Sequence, residues 1–314
     1  MGNIACAPFK PFPGLSNPHA QTLVGAFWPG PRIVTRVGQV GSAHGDQLRL
    51  EAYGPPRAGR RLLLLHGLTG SSRAPLIRRF LAYFGRRGWL AMALNLRGAD
   101  GCLTGVPRLY HAGCSDDLEA VVQQLLPGPP LGLAGFSLGA NILLKWLGER
   151  GSELPEAVMG ACAVCSPLSL AACADRLEAH PMSQFYRRAL IYRLKQLARA
   201  FDARHPGRID PARLEQIHSF WQFDEWVTAP VHGYASAQAY WADCSSLAFL
   251  DRIRRPTLLL NAADDPFLDP SLLPDPTAWV STEFPPHGGH LGFVPSGRWD
   301  WLETRLFAFF SSLG

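Results

Sequence analysis

The sequence alternates short, almost wholly apolar runs with longer segments of helical spacing, and this alternation constrains the fold more strongly than any other feature. In the run RRLLLLHG (residues 60–67), successive apolar residues leave no polar face, as is typical of a strand buried on both sides of a parallel sheet. Similar runs recur along the chain with helical segments between them. The alternation predicts an α/β fold with a mostly parallel, doubly wound sheet.

The individual elements follow from the same patterns, beginning with two strands that form a hairpin or meander. The predicted strands are, in chain order, RIVTRVGQV, DQLRLEAYG, RRLLLLHG, WLAMALNLRG, PLGLAGFS, AVMGACAVCSP, RRPTLLLNAADDP and TAWVSTEFPPHGGH. The predicted helices are PLIRRFLAYFGRRG, CSDDLEAVVQQLLPG, LGANILLKWLGERG and RWDWLETRLFAFFSSL.

The alternation stops between Pro167 and Arg255, where the sequence is mostly helical, aromatic and basic and shows no strand pattern. A stretch of this length that does not continue the sheet is typical of an insertion with a role of its own. We therefore predict one α/β domain over residues 1–314, with a helical cap inserted at residues 167–255. The basic helix YRRALIYRLKQLARAF within it is expected to be solvated rather than docked on a membrane surface.

Composition and charge limit the functions that the chain can have. Of its 314 residues, 47% are hydrophobic and 18% charged, so the chain can bury a sizeable core. The formal net charge of +5 comes without a long basic run, which argues against a nucleic-acid partner. The seven cysteines lack the spacing of a disulfide framework, the N-terminus lacks a secretory signal, and no apolar run reaches the roughly 18 residues of a membrane span. The expected location is the cytoplasm.

The stretch GFSLGAN (residues 135–141) places Ser137 between two glycines, with an apolar strand before it and a helix after it. This is the context that a G-x-S-x-G nucleophile turn requires, because the turn strains the serine backbone and leaves no room for side chains at Gly135 and Gly139. The alternative is a serine in an ordinary glycine-rich loop. The flanking strand and helix favour Ser137 as a nucleophile.

A serine nucleophile needs a histidine to take its proton and an acid to orient that histidine. In this type of fold the chain order is serine, acid, histidine. Of the ten histidines, only His287 and His290 lie at the end of the last predicted strand segment, in PPHGGHLGF. The loop after the preceding strand offers three candidate acids, Asp264, Asp265 and Asp269. The residues alone leave both choices open.

Several motifs in the same order resemble those of the YheT/EMB8 family of α/β-hydrolases, which includes the ABHD1, ABHD2 and ABHD3 branch. They are HGLTGSS, NLRGADG, RLYHAGCSDDL, GFSLGANIL, FDEWVTAPVHGY, RRPTLLLNAADDPF and GGHLGF. The segment NPHAQTLVGAFWP is also similar to the start of that family, so the resemblance covers nearly the whole chain. It implies an α/β-hydrolase fold and a serine-hydrolase triad.

The resemblance carries the triad onto Ser137, an aspartate of the 264–265 pair and His290, which leaves His287 as a neighbour. Asp265 is favoured because one residue and then two apolar residues follow it, although counting from Asn261 favours Asp264. The resemblance and the fold also imply an oxyanion hole formed by the backbone N–H groups of Leu68 and Leu138, with His66 supporting the loop that carries Leu68.

Other motifs are given structural roles. Cys162 and Cys165 are expected on opposite faces of one strand, as core packing rather than a redox pair. His111 and Asp116 form an H-x-x-x-x-D pattern that resembles an acyltransferase signature noted in relatives, yet the pattern opens a predicted helix, which favours packing and capping. No zinc-ligand spacing and no phosphate-binding loop occurs, so we predict no metal and no cofactor.

These observations predict a serine-dependent carboxylic ester hydrolase that forms an acyl-enzyme on Ser137. The expected substrates are esters with small or medium-chain, lipid-like acyl groups, since the cap is rich in aromatic side chains that suit an apolar group. These side chains are Trp221, Phe223, Trp226, Tyr234, Tyr240 and Trp241. Acyl transfer to an alcohol by the same triad and non-catalytic ligand binding remain as alternatives.

Overall fold

The computed structural model describes residues 7–179 and 181–313, and eight of their segments form one sheet. The order of strands across the sheet is β1-β2-β4-β3-β5-β6-β7-β8. The strands are β1 (Arg36–Gly41), β2 (Gln47–Tyr53), β3 (Arg61–Leu65), β4 (Leu90–Leu94), β5 (Leu131–Phe136), β6 (Val158–Val164), β7 (Thr257–Leu260) and β8 (Val280–Glu283). Strands β3 to β8 are parallel, whereas β2 runs antiparallel to both β1 and β4. The predicted doubly wound, mostly parallel sheet is confirmed.

Helices cover both faces of the sheet, and more helices lie between β6 and β7. The helices are α1 (Pro18–Phe27), α2 (Pro75–Gly85), α3 (Ser115–Leu125), α4 (Leu138–Arg150), α5 (Leu170–Ala179), α6 (Ser183–Arg204), α7 (Pro211–Glu215), α8 (Phe220–Phe223), α9 (Ala229–His232), α10 (Ala237–Cys244) and α11 (Trp301–Ser312). A π-helical turn, Asp224–Thr228, joins α8 to α9. Every predicted helix outside the insertion is present.

Strand β3 shows why an apolar run without alternation is required at the centre of the sheet. Leu62 and Leu64 belong to a core that they share with α2 and α11, whereas Leu63 and Leu65 belong to the core shared with α3 and α4. All four side chains are fully buried. Burying a leucine side chain is worth about 1.5–3 kcal/mol, so both faces of this strand stabilise the fold.

Residues 167–255 are called the inserted segment below, because they leave the sheet after β6 and return to it at β7. In the described part of this segment, which lacks only residue 180, helices α5 to α10 and short helical turns occur and no strand is found. Helix α6 packs against α5, α7 and α8, and α10 contacts α4 of the sheet layer. The insertion therefore rests on the carboxyl-terminal edge of the sheet.

The expectation that Cys162 and Cys165 lie on opposite faces of one strand is wrong. Strand β6 ends at Val164, and Cys165 has a φ of +50°, so the chain turns there. Both cysteines are fully buried in the core shared with α2 and α11.

Among the described helices, none has both the length and the apolar character needed to cross a bilayer.

Candidate active site

The turn at Ser137 lies between the end of β5 and the start of α4. Ser137 has φ 53° and ψ −119°, a combination that L-residues rarely adopt and that costs on the order of 1–3 kcal/mol. A Cβ atom on Gly135 would lie 2.4 Å from the carbonyl oxygen of Gly139, and one on Gly139 would lie 2.5 Å from that of Leu65. The turn therefore requires both glycines, as the sequence motif predicts.

The side chain of His290 lies between those of Ser137 and Asp265. Its Nε2 is 2.9 Å from Ser137 Oγ, and its Nδ1 is 2.8 Å from Asp265 Oδ2. Because a carboxylate can only accept, Nδ1 carries the proton in this arrangement and Nε2 accepts from the serine hydroxyl. Phe267 stacks on the imidazole with ring centroids 4.0 Å apart, and the backbone N–H of His290 donates to Thr22 Oγ1. The ring is thus held on several sides.

The two adjacent aspartates face different partners. Asp265 is 1% exposed and also accepts a hydrogen bond from the backbone N–H of Phe267 at 2.8 Å. Asp264 accepts from the backbone N–H of Gly289 at 2.9 Å and lies 3.3 Å from Nδ1 of His287. The structure therefore brings Asp265, and not Asp264, to His290. The third candidate, Asp269, is occupied with Ser271 in a short helical turn.

The loop after β3 approaches Ser137 from the other side. A Cβ atom on Gly67 would lie 3.1 Å from the Cβ of Ser137, so the backbone of this loop packs against the serine. The N–H of Thr69 already donates to the hydroxyl of Tyr110 at 2.8 Å. The N–H groups of Leu68 and Leu138, by contrast, find no acceptor within residues 7–179 and 181–313. Both residues line the pocket described below.

His66 holds this loop in place, as the sequence analysis expects. Its Nδ1 lies 2.8 Å from the carbonyl oxygen of Gly67, and its Nε2 accepts from the backbone N–H of Leu96 at 3.1 Å. Complete burial lowers the pKa of His66 to about 4, so the imidazole is neutral at physiological pH. A neutral ring has one donor and one acceptor, and both are used by backbone groups.

Sequence reasoning missed the part that Cys165 plays in this site. Its Sγ accepts from the N–H of Leu291 at 3.4 Å and donates towards the carbonyl oxygen of Gly289 at 3.8 Å, so it contacts both neighbours of His290. Burial and the nearby charge of Asp265 raise the pKa of this thiol well above its usual range, which keeps it protonated. No sequence signal could have found it, because Cys165 continues the apolar run of β6 and the turn that follows Val164 is seen only in the folded chain.

Backbone strain is concentrated around these residues. The described non-glycine residues with positive φ are Thr69, Ser137, Cys165, Leu291 and Phe293. All of them lie in the loop after β3, directly after β5 and β6, or within three residues after His290. Strained backbone persists only where the surrounding structure enforces it, and such residues cluster at functional sites.

A pocket of about 440 Å³ opens beside Ser137 and His290. The inserted segment supplies one wall and α1 with the loop after β3 supplies another, and most of the lining is apolar. Of the aromatic cap residues named in the sequence analysis, Phe223, Tyr240 and Trp241 line the pocket. Trp221, Trp226 and Tyr234 are not among the residues that line it.

The H-x-x-x-x-D pattern does not form a pair in the structure. His111 packs against His232 with ring centroids 4.2 Å apart, whereas the carboxylate of Asp116 lies 3.0 Å from Nε2 of His44. Burial lowers the pKa of His111 well below its usual value, so this residue is neutral. The two residues therefore have different partners.

Two sets of ligand-type side chains come within 4.8 Å of one another in the described chain, Cys165–Asp265–His290 and His44–Asp116–Asp117. In the first set the aspartate and the histidine are hydrogen-bonded to each other, and the cysteine is a thiol, whereas metals bind the thiolate. In the second set Asp117 is held by Arg97 at 2.8 Å. Hydrogen bonds and an ion pair within the protein therefore explain why the side chains of each set lie close together.

The mostly parallel sheet, with a serine, a histidine and a carboxylate together at its edge, is the arrangement of the α/β-hydrolase class. A family model described as "alpha/beta hydrolase fold" matches residues 60–296 of the chain. The chain is 34% identical to YheT of Escherichia coli (strain K12), which is provisionally named an esterase, over 96% of this chain and 92% of that protein. The chain belongs to the YheT-like α/β-hydrolases, a family of esterase- and lipase-type enzymes.

Two further likenesses agree with this assignment. The mouse phospholipase ABHD3 is 32% identical over 76% of this chain, and the match spans 59% of that longer protein. The esterase Pf2001 of Pyrococcus furiosus has a TM-score of 0.58 at 15% identity, covering 91% of this chain and 100% of that one. At such low identity the second likeness concerns the fold alone.

Proposed function

We propose that the protein is a serine-dependent carboxylic ester hydrolase in which Ser137 is the nucleophile, His290 the general base and Asp265 the orienting acid. The observation that carries this proposal is the pair of hydrogen bonds from Ser137 Oγ to His290 Nε2 at 2.9 Å and from His290 Nδ1 to Asp265 at 2.8 Å. A histidine oriented in this way can remove the serine proton as the hydroxyl attacks.

In the first half of the reaction, Ser137 Oγ attacks the ester carbonyl carbon and its proton passes to His290 Nε2. The carboxylate of Asp265 stabilises the imidazolium that forms. The negative charge on the former carbonyl oxygen is stabilised by the N–H groups of Leu68 and Leu138, which need no reorganisation because the backbone already holds them in place. The tetrahedral intermediate then expels the alcohol, which takes the proton from His290.

In the second half, water attacks the acyl group on Ser137 while His290 again accepts a proton. The second tetrahedral intermediate releases the carboxylic acid, and His290 returns the proton to Ser137. Both halves use the same base and the same two backbone donors. The net reaction consumes one water and produces one acid and one alcohol.

The pocket supports a preference for apolar acyl groups of small or medium size. Its volume of about 440 Å³ lies within the range of pockets that hold small molecules, and its walls are mostly apolar. Leu177, Leu194 and Phe223 of the inserted segment are among the apolar side chains that line it. We therefore propose that residues 167–255 act as a cap that selects the acyl group, within one domain.

A labelling experiment tests the assignment of Ser137. Wild-type protein is expected to react with a fluorophosphonate probe and to hydrolyse p-nitrophenyl esters of graded acyl length. Ser137→Ala should abolish labelling and lower kcat by roughly 10⁴-fold or more, with an unchanged circular dichroism spectrum. Ser271→Ala is the matched control and should retain full activity, because this serine is exposed and its hydroxyl donates to Asp269 alone among the described residues.

Other results would redirect the proposal. If the probe labelled a residue other than Ser137, that residue would be the nucleophile. A folded wild-type protein that neither reacts with the probe nor hydrolyses any ester would indicate a non-catalytic binding protein. If added alcohols gave new esters as the main product, the reaction would be acyl transfer.

A further inference from the structure

Asp224, in the wall that the inserted segment contributes to the pocket, is the only carboxylate-bearing side chain among the described residues that line it. It is partly accessible, and it lies beside the apolar side chains of Phe223 and Trp241. The mechanism proposed above gives Asp224 no role. Holding a carboxyl group beside apolar side chains with limited access to water is costly and needs an explanation.

The carboxyl group is held by two neutral donors. The hydroxyl of Thr228 donates to Oδ1 at 2.7 Å, and the indole N–H of Trp241 donates to Oδ2 at 2.7 Å. Each carboxylate oxygen can accept more than one hydrogen bond, so each retains the capacity to accept another. The structure thus fixes the orientation of this carboxyl group while leaving part of its acceptor capacity unused.

Asp224 forms no salt bridge within the described part of the chain, and Arg193 is the one arginine or lysine that lines the same pocket. Burial raises the pKa of this carboxyl group to about 6, and the hydrogen bonds from Thr228 and Trp241 oppose the rise. At neutral pH the group is therefore an ionised acceptor in a largely apolar wall.

The backbone around Asp224 also departs from regular structure. Residues Asp224–Thr228 form a π-helical turn, and the Thr228 hydroxyl reaches back one turn to the carboxylate. Single π-helical turns within α-helices occur frequently at functional sites. A purely structural link between Thr228 and Trp241 would need only a neutral acceptor such as an amide, which would not carry the cost of a buried charge.

We propose that Asp224 forms a polar subsite of the pocket, which accepts a hydrogen bond from a hydroxyl group on the ester substrate. The enzyme would then select hydroxyl-bearing esters over otherwise identical esters without the hydroxyl group. This inference rests on the proposed ester hydrolysis. A hydroxyl is favoured over an ammonium group for the following reason. An ammonium has three donors, and the described wall offers them a single carboxylate, that of Asp224, among mostly apolar side chains. A hydroxyl has one donor, which this carboxylate can satisfy.

The experiment uses pairs of aliphatic esters that differ only by one hydroxyl group, placed at graded positions in the acyl or the alcohol part. The readout is the ratio of kcat/KM within each pair, measured by acid release. A hydrogen bond to a charged group is worth about 1.5–3 kcal/mol, so wild-type protein should favour the hydroxylated member of at least one pair by roughly 10- to 100-fold. A residue with only a structural role would affect both members alike.

Two variants of Asp224 are compared with a matched control. In Asp224→Asn the amide oxygen can accept from Trp241 and the amide N–H can donate to the Thr228 hydroxyl, so the wall keeps its shape. The preference should fall to within about threefold of unity, because a neutral amide forms weaker hydrogen bonds than a carboxylate. Asp224→Leu, which can form no such bond, should also lose it. Asp243→Asn makes the same chemical change on α10 outside the pocket and should keep the wild-type preference.

The proposal is overturned if wild-type protein shows no preference at any hydroxyl position, or if the preference survives in both Asp224 variants. A stronger preference for amine-bearing than for hydroxyl-bearing esters would also overturn it, since the subsite would then bind cations. Turnover of the unsubstituted esters by wild-type protein separates these failures from a failure of the proposed function. If no ester of any kind is hydrolysed, both proposals fail together.

Discussion

Two histidine–aspartate pairs lie side by side at the carboxyl edge of the sheet, and they are built from neighbouring residues in the same two loops. In one pair, His290 Nδ1 lies 2.8 Å from Asp265, with the side chains 9% and 0% exposed. In the other, His287 Nδ1 lies 3.3 Å from Asp264, with the side chains 42% and 17% exposed. Only the buried pair contacts a serine hydroxyl, that of Ser137.

The difference between the pairs shows that residue type alone does not decide which of them takes part in the chemistry. Both pairs have an imidazole and a carboxylate, but the ring of His290 is also covered by Phe267 and its backbone is anchored to Thr22. A buried carboxylate interacts with its histidine in a less polar surrounding than an exposed one, which strengthens the interaction. The central expectation is that the buried pair is essential and that the exposed pair shapes the loop.

The largest difference is expected between the two histidines. His290→Ala removes the base and should lower kcat for ester hydrolysis by roughly 10⁵-fold, about as much as the loss of Ser137, because members of a triad act as a unit. His287→Ala should remain within a few-fold of wild type. The double variant Ser137→Ala/His290→Ala should be no slower than either single variant. If kcat fell strongly in His287→Ala and not in His290→Ala, the His287–Asp264 pair would be the catalytic one.

The aspartates should differ next most strongly. In Asp265→Asn the side chain can no longer hold the histidine tautomer that leaves Nε2 free to accept, so kcat should fall on the order of 10⁴-fold, with little change in melting temperature. Asp264→Asn should lose less than about tenfold, since the residue does not reach His290 and only the loop that it shapes is affected. Steady-state kinetics on both variants measures this difference. If Asp264→Asn were the slower enzyme, the orienting acid would be Asp264 and not Asp265.

The smallest expected effect is on stability and belongs to the exposed pair. Asp264→Ala leaves the backbone N–H of Gly289 without its acceptor, which should cost about 1–3 kcal/mol in the free energy of unfolding. Equilibrium urea denaturation measures this change, with His287→Ala as the control that keeps the Gly289 bond. Equal stability of Asp264→Ala and wild type would mean that Asp264 does not support the loop.

The sequence predicts the frame of the site better than its details, and the reasons are physical. Ser137 could be found because the glycine spacing, the strand and the helix are all local features. The choice between Asp264 and Asp265 depends on how one short loop turns after β7, which neighbouring residues of the same type do not reveal. Thr22 could not be predicted, because it lies 268 residues from His290 and meets it only in the folded chain.

Two further residues show where patterns mislead. Cys165 continues an apolar run, so the sequence does not show that β6 has ended and that a positive φ redirects the thiol to the loop around His290. Asp224 stands in an aromatic stretch that predicts an apolar wall, and its position inside the pocket depends on the packing of α8 and α10. In both cases tertiary packing decided the outcome.

The most direct test of the account is the mass of the protein during turnover. Wild-type protein mixed with a p-nitrophenyl ester, quenched with acid within milliseconds and digested should yield a peptide containing Ser137 that is heavier by the acyl group, and Ser137→Ala should yield none. Formation of this adduct should be as fast as the release of p-nitrophenol in the first turnover. Full ester turnover with no acyl group on Ser137, or with the acyl group on another residue, would contradict the central claim.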